Sequence, residues 1–125
     1  MLPMSTAQQH KLVVMIVYFG AHPPWLPITL HSMEANERVS FVVVNDQPPP
    51  ASLPPNVRFE TISFGGMHER LSAISGQRIS HSFTYKANDI KPFAAHLYPE
   101  LLGRHAWWAW ADLDMLFGDL LKYLN

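Results

Sequence analysis

Cysteine is absent from the sequence, which excludes disulfide bonds, zinc–thiolate sites and thiol nucleophiles. Charge is also sparse: 15% of residues are charged, the net charge is −1, and the nine Lys and Arg residues are scattered singly. Without a basic face, nucleic acid is not an expected partner. No apolar run is long enough to span a membrane, and the first residues lack a secretory signal, so we expect a cytoplasmic location and no membrane span.

The length and the hydrophobic content of the chain favour one globular domain. Hydrophobic residues make up 48% of the 125 residues, enough for a single core. The seven histidines show no metal-ligand spacing and are expected to be structural or exposed. We expect a polar tail at residues 1–10 and one α/β domain at residues 11–125, in which carboxylate and imidazole groups carry any chemistry.

Hydrophobic patterning predicts alternating strands and helices. Continuous β-branched runs are typical of strands buried on both faces, whereas apolar residues at helical spacing indicate helices. Strands are predicted at 11–19, 39–44, 57–62 and 107–111, and helices at 25–37, at 67–74 and from near Pro92 to about Leu102, with Gly103 as the stop. This order predicts a mainly parallel, Rossmann-like sheet with flanking helices. Trp107, Trp108 and Trp110 are interpreted as core residues.

The aromatic run at 107–111 breaks abruptly into Asp112 and Asp114. Alternate side chains of a strand project to one side, so the two carboxylates would converge if the extended geometry continued. Hard oxygen ligands suit Mg²⁺ or Mn²⁺, ions that complete their shells with water and substrate phosphates. The pattern favours a metal site that holds a diphosphate, although an Asp-x-Asp triplet also occurs in solvated turns.

Other candidate residues follow the earlier strands. Phe19 and Gly20 lie where the first strand ends, and Asn45 and Asp46 where the second ends. Ligands collect at the carboxyl ends of parallel strands. For Gly20 a tight turn is the favoured explanation, whereas Asp46 is as readily a turn residue as a ligand. Lys86, Asp89 and Lys91 precede the third helix and offer groups that a diphosphate or a nucleoside would contact.

Two motifs together resemble a family of predicted glycosyltransferases with the GT-A type of fold. They are YKANDIKP at residues 85–92 and WAWADLDMLFGDL at residues 108–120. The segment VYFG at 17–20, followed by Pro24, Trp25, Leu26 and Pro27, is also similar to that family's first strand and loop. The resemblance extends over most of the chain from Lys11 onward.

The resemblance implies a function and a set of site residues. Asp112 and Asp114 would hold Mn²⁺ or Mg²⁺ on the diphosphate of a nucleotide-sugar donor, for which a UDP-sugar is favoured. Tyr18, Phe19 and Gly20 would lie by the nucleoside, and Asp89 and Lys91 near the base, ribose or phosphates. The acceptor and the catalytic residues are not identified.

The position of the Asp pair departs from the GT-A pattern, in which it lies near the middle of the domain and is followed by the acceptor pocket. We therefore expect the donor-binding half of the fold, truncated after this strand, with an edge that an oligomer or a partner covers. One alternative is a non-catalytic nucleotide- or metal-binding module. A phosphatase of the haloacid dehalogenase type is disfavoured, because Met115 and Leu116 stand where small polar residues are expected.

Overall fold

The computed structural model of the chain describes residues 10–77 and 94–123. Within these ranges, regular structure follows the order predicted for an α/β domain. The strands are β1 (Leu12–Val17), β2 (Val39–Asn45), β3 (Val57–Thr61) and β4 (Trp107–Ala111). The helices are α1 (Leu26–Glu34), α2 (Phe64–Ser75), α3 (Ala94–Leu97) and α4 (Pro99–Leu102), and a 3-10 turn spans Leu120–Tyr123.

The four strands form one parallel sheet in the order β3-β2-β1-β4. The central strand β1 pairs with β2 from Leu12 opposite Val39, and with β4 from Leu12 opposite Trp107. The parallel, Rossmann-like sheet with flanking helices is therefore confirmed. Its strands β1 and β2 are almost wholly buried, as continuous Val- and Ile-rich runs predict.

Each face of the sheet carries its own hydrophobic cluster. Val13, Met15, Val42 and Val44 point to the face covered by α2, α3 and α4. The intervening residues of β1 and β2 point to the opposite face, where α1 and the segment after β4 pack. Period-two alternation along buried strands thus supplies both layers of the core.

Asn36, buried just after α1, ties the last described segment to the domain. Its amide nitrogen donates to the carbonyl of Gly118 at 2.7 Å, and its amide oxygen accepts the backbone N–H of Leu120 at 2.9 Å. Ser32 contributes a third bond, because its hydroxyl accepts the N–H of Phe117 at 3.1 Å. These contacts hold residues 117–120 against the α1 face of the sheet.

Helix α2 begins three residues before its predicted start. The hydroxyl of Ser63 accepts the backbone N–H of Gly66 at 2.9 Å, which is the usual N-cap bond. Gly65 and Gly66 therefore lie in the first helical turn rather than in the loop that their low helix propensity suggests. Gly76 ends the helix with a left-handed φ of 72°.

The last predicted helix is wrong in one respect, because it is interrupted at Tyr98. Pro99 disfavours a helical conformation for the preceding residue, and Tyr98 takes φ −132° and ψ 59°. Helix α4 then begins at Pro99 and ends at Leu102, followed by Gly103 as predicted. A Cβ at Gly103 would lie 2.7 Å from the carbonyl oxygen of Pro99, so glycine is required there by close approach.

The interpretation of all three tryptophans as core residues is also wrong. Trp108 packs against the cluster around Val13, but Trp107 and Trp110 are 53% and 48% exposed. The reason is the position of β4, which among the described residues pairs with β1 alone. Hydrophobicity indicates a strand, but it does not indicate whether that strand is central or at an edge.

Candidate functional site

The candidate site lies at the carboxyl edge of the sheet, where the strand order reverses. The chain adds β2 and β3 on one side of β1 and then returns to place β4 on the other side. Open α/β sheets bind ligands in the crevice at such a switch point. Since Ile16 lies opposite Ala111 and Val17 opposite Val44, the residues that follow β1, β2 and β4 emerge at one level of this edge.

Asn45 organises the loop that follows β1. Its side chain, only 1% exposed, donates from the amide nitrogen to the carbonyls of Tyr18 and Gly20. Its amide oxygen accepts the N–H of His22 at 3.1 Å and the backbone N–H of Gln47 at 2.9 Å. One buried amide therefore satisfies backbone groups on both loops at the edge of the sheet.

Asp46 is bonded to the same loop. Its Oδ1 atom accepts the backbone N–H of Gly20 at 2.8 Å and the amide N–H of Gln47 at 3.3 Å. The bond from Gly20 lowers the pKa of the Asp46 carboxyl below its ordinary value, and the bond from Gln47 acts in the same direction. Gly20 takes a left-handed φ of 104°, a conformation that favours glycine at this turn.

The two candidate metal ligands flank a buried residue. Strand β4 ends at Ala111, so Asp112 and Asp114 owe their placement to a turn and not to strand alternation. Leu113, between them, is 3% exposed and packs with the α1 cluster, while both aspartates are exposed. The hydrophobic side chain anchors the turn, and the carboxylates stand on either side of it.

Helix α1 fixes the backbone of this turn. The carbonyl of Leu113 accepts the hydroxyl of Thr29 at 3.3 Å and the indole N–H of Trp25 at 3.4 Å. Thr29 is 1% exposed, so its hydroxyl bond lies in the core. Two donors, one in α1 and one on the residue that precedes it, therefore hold the backbone of the turn between the aspartates, which restricts where the carboxylates can move.

The donor set fits a hard divalent cation that keeps open positions. Mg²⁺ is commonly held by one or two carboxylates, with water and phosphate oxygens in the other positions. Within residues 10–77 and 94–123, no group of three or more His, Cys, Asp or Glu side chains is arranged to hold a metal. Asp112 and Asp114 offer two carboxylates of the kind that a Mg²⁺ site with water and phosphate ligands uses.

A shallow apolar groove adjoins Asp114. It has a volume of about 340 Å³ and combines the exposed side chains of α1 with those that follow the Asp pair. Its lining consists of Trp25, Ile28, Thr29, Asp114, Met115 and Leu116. The Asp114 carboxylate therefore lies beside a hydrophobic surface rather than in open solvent on every side.

Comparison with protein-family models gives one match, to a family of unknown function, DUF6625, over residues 14–125. The match begins within β1, covers β2, β3 and β4 in full, and includes the residues of the candidate site. The chain belongs to the DUF6625 family. No curated protein and no solved structure matches it.

In this DUF6625 chain, the structure brings four other predicted site positions to the same edge as the predicted metal pair. Tyr18, Phe19, Gly20 and Asp46 share the carboxyl edge with Asp112 and Asp114. Phe19 is buried against the ring of Phe64 at 5.2 Å, so it supports the loop from below. Lys86, Asp89 and Lys91 lie outside the described residues.

Three residues organise the site in ways that were not predicted: Asn45, noted only as a residue at the end of the second strand, and Thr29 and Trp25. Asn45 carried a signal, because an amide at the end of a buried strand requires hydrogen-bond partners. Thr29 and Trp25 carried none, since their bonds to Leu113 span more than eighty residues of the DUF6625 sequence. In the same described part of the chain, no helix is both long and apolar enough to cross a membrane.

Proposed function

We propose that this chain is the donor-binding half of a metal-dependent glycosyltransferase that uses a nucleotide sugar, with a UDP-sugar favoured. The observation that carries the proposal is the position of Asp112 and Asp114 at the switch point of a parallel sheet, beside the loop after β1. The resemblance of residues 85–92 and 108–120 to predicted GT-A glycosyltransferases supports the same function.

Each part of the edge has a role in this proposal. Asp112 and Asp114 would hold Mn²⁺ or Mg²⁺, which when bound neutralises charge that develops on the leaving nucleoside diphosphate. The loop of Tyr18, Phe19 and Gly20 would border the nucleoside, and Asn45 would keep that loop in place through its two carbonyl bonds. Asp46 would help to position the loop beside the nucleoside, because its carboxylate accepts the N–H of Gly20.

A second candidate is a nucleotide- or metal-binding module that performs no transfer. It is favoured by the exposed carboxylates of Asp112 and Asp114, which can bind a cation without any transfer reaction. The two candidates share the same metal and nucleotide site and differ only in turnover. Release of UDP from a UDP-sugar, measured with Mn²⁺ and candidate acceptors, separates them.

Calorimetric titration of the chain with UDP, in the presence and absence of Mn²⁺, tests the shared site. We expect binding that requires the metal and that weakens about tenfold or more in an Asp112→Asn/Asp114→Asn variant. Asp119→Asn is the matched control, because Asp119 is an exposed aspartate of the same segment that lies outside the proposed site. Equal UDP binding by the two variants, or no binding by folded wild type, would refute the proposal.

A further inference from the structure

The groove beside Asp114 gathers exposed hydrophobic side chains from two parts of the chain. Trp25 immediately precedes α1 and Ile28 lies in its first turn, whereas Met115 and Leu116 follow the Asp pair. Each of these four side chains exposes 42% or more of its surface. The groove does not include the other large hydrophobic side chains that the described residues expose, which are Ile74, Trp107 and Trp110. A concentrated apolar surface of this kind is typical of a binding site, whereas single exposed hydrophobic residues are not.

Hydrogen bonds join the two walls of this groove, which we call the α1 groove. The indole N–H of Trp25 and the hydroxyl of Thr29, on one wall, both donate to the carbonyl of Leu113. Leu113 is buried and is followed directly by Asp114 and Met115 of the other wall. The walls are therefore held in place before a ligand arrives, and a preorganised site loses less affinity to the ordering of its side chains.

The size of the α1 groove suits a small molecule rather than a protein. Its volume of about 340 Å³ lies in the lower part of the range of small-molecule sites, which is about 300–1,000 Å³. A stable protein–protein interface involves about 20–30 residues and about 800 Å² on each partner. Only six residues line the α1 groove. Its occupant is therefore a small molecule with an apolar body.

The polar end of the α1 groove lies at Asp114. Thr29 also lines the groove, but its hydroxyl already donates to the carbonyl of Leu113. A molecule that lies along the groove therefore places an apolar body against Trp25 and Ile28 and a polar group near the Asp114 carboxylate. In the donor-site proposal the same carboxylate holds the metal on the donor diphosphate, so that polar group would lie next to the donor.

We propose that the α1 groove binds the acceptor of the transfer reaction, and that this acceptor is an amphiphilic alcohol, an alkyl chain that ends in a hydroxyl-bearing head group. The inference rests on the proposed glycosyltransferase function, which supplies the donor beside Asp114. In the transfer, the acceptor hydroxyl oxygen forms a bond to the anomeric carbon of the donor, and the bond from that carbon to the diphosphate breaks. The nucleoside diphosphate leaves with the electron pair of the broken bond, and the hydroxyl proton is released to water.

An NMR titration with n-octyl β-D-glucoside, below its micelle-forming concentration and without metal or nucleotide, tests the groove directly. The indole N–H signals of the four tryptophans are assigned with Trp→Phe variants. We expect the signal of Trp25 to shift, whereas Trp107 and Trp110, which are equally exposed, serve as internal controls and should not respond. Methyl β-D-glucoside, which lacks the alkyl chain, should bind about tenfold more weakly or worse, because burial of about two methylene groups gives roughly a tenfold gain in affinity. An unchanged Trp25 signal, or equal shifts of all three exposed tryptophans, overturns the proposal.

Two exposed isoleucines provide a matched pair of variants. Ile28 in α1 is 60% exposed and lines the groove, whereas Ile74 in α2 is 52% exposed and does not. Ile28→Ser should weaken the binding of octyl glucoside by about threefold or more, because it removes apolar surface from the groove. Leu116→Ser, on the opposite wall, should have a similar effect, and Ile74→Ser should have none. Circular dichroism verifies that each variant is folded, and equal affinities of Ile28→Ser and Ile74→Ser would overturn the assignment to this groove.

An acceptor has to bind together with the donor, so the titration is repeated with saturating UDP and Mg²⁺, which does not broaden NMR signals as Mn²⁺ does. We expect the dissociation constant of octyl glucoside to stay within about threefold of its value without UDP. Displacement of octyl glucoside by UDP would assign the groove to the donor and overturn the acceptor role. Absence of UDP binding with an intact Trp25 response would refute the donor site and the acceptor role together, whereas absence of the Trp25 response with intact UDP binding would refute the groove alone.

Discussion

The Oδ1 atom of Asp46 accepts the backbone N–H of Gly20 at 2.8 Å, a bond that joins the loops following β1 and β2. It lowers the pKa of the Asp46 carboxyl, so the folded state favours the ionised form. A group whose pKa is lower in the folded state contributes stability above its unfolded pKa and loses it as the pH falls through the folded pKa.

Asp46→Asn should remove this pH dependence while it retains an oxygen that can accept the Gly20 N–H. We expect the variant to be nearly as stable as wild type near neutral pH, with a loss of about 1 kcal/mol or less, since the group is partly exposed. Wild type should lose more stability than the variant as the pH falls below about 4. Urea unfolding at a series of pH values measures this difference. Glu37→Gln, which removes an exposed carboxylate elsewhere, is the control. If the stability of wild type and of Asp46→Asn changed with pH in the same way, the prediction would be wrong.

Asn45→Ala should be strongly destabilising. The substitution leaves the carbonyls of Tyr18 and Gly20 and the N–H of Gln47 without their buried partner. Loss of such a network is expected to reduce the free energy of unfolding by about 3 kcal/mol. Chemical denaturation gives the value. Ser40→Ala, at a half-buried position of the same strand, should cost far less, and similar costs at both positions would argue against the network.

Thr29→Val should loosen the turn that carries the Asp pair. Valine has the shape of threonine but removes the hydroxyl that donates to the carbonyl of Leu113. We expect a loss of about 1 kcal/mol, because the indole N–H of Trp25 still donates to the same carbonyl. If the donor-site proposal holds, Mn²⁺-dependent UDP binding should also weaken. Ser75→Ala is the control, because it removes an exposed hydroxyl at the end of α2, on the opposite face of the sheet from Thr29.

The glycines of α2 provide a matched pair of substitutions. Gly76→Ala should destabilise the chain by about 1 kcal/mol, because Gly76 has a left-handed φ of 72°. Gly65→Ala, at a helical position, should stabilise it by about 0.5 kcal/mol. A Cβ at either glycine meets nothing within 4 Å, so only backbone preference differs. Thermal unfolding should therefore shift in opposite directions, and shifts of the same sign would exclude this explanation.

Strand positions were the most predictable feature of the fold. The buried strands β1 and β2 appeared in the sequence as Val- and Ile-rich runs, and the alternation with helices was sufficient to predict a parallel sheet. The break at Tyr98 was also encoded locally, by Pro99, but the predicted helix ran through it. The position of β4 at an edge was not encoded locally, so Trp107 and Trp110 were assigned to the core.

The candidate site was predictable only in part. Asp112 and Asp114 stood out because carboxylates follow an apolar strand, and Gly20 and Asp46 because strands end there. The contacts that fix these residues depend on tertiary structure: Asn45 spans two strand ends, and Thr29 reaches Leu113 from another element. No spacing rule relates residues so far apart in sequence.

The order of the sheet also determines when the domain can be completed. Strand β1 is near the start of the chain, yet one of its two neighbours, β4, follows only after residues 18–106 have been made. Pairing across such a separation is slow compared with the formation of local contacts. During synthesis, β1, β2 and β3 can associate early, while one flank of β1 stays open to water or to a chaperone until the tryptophan strand arrives.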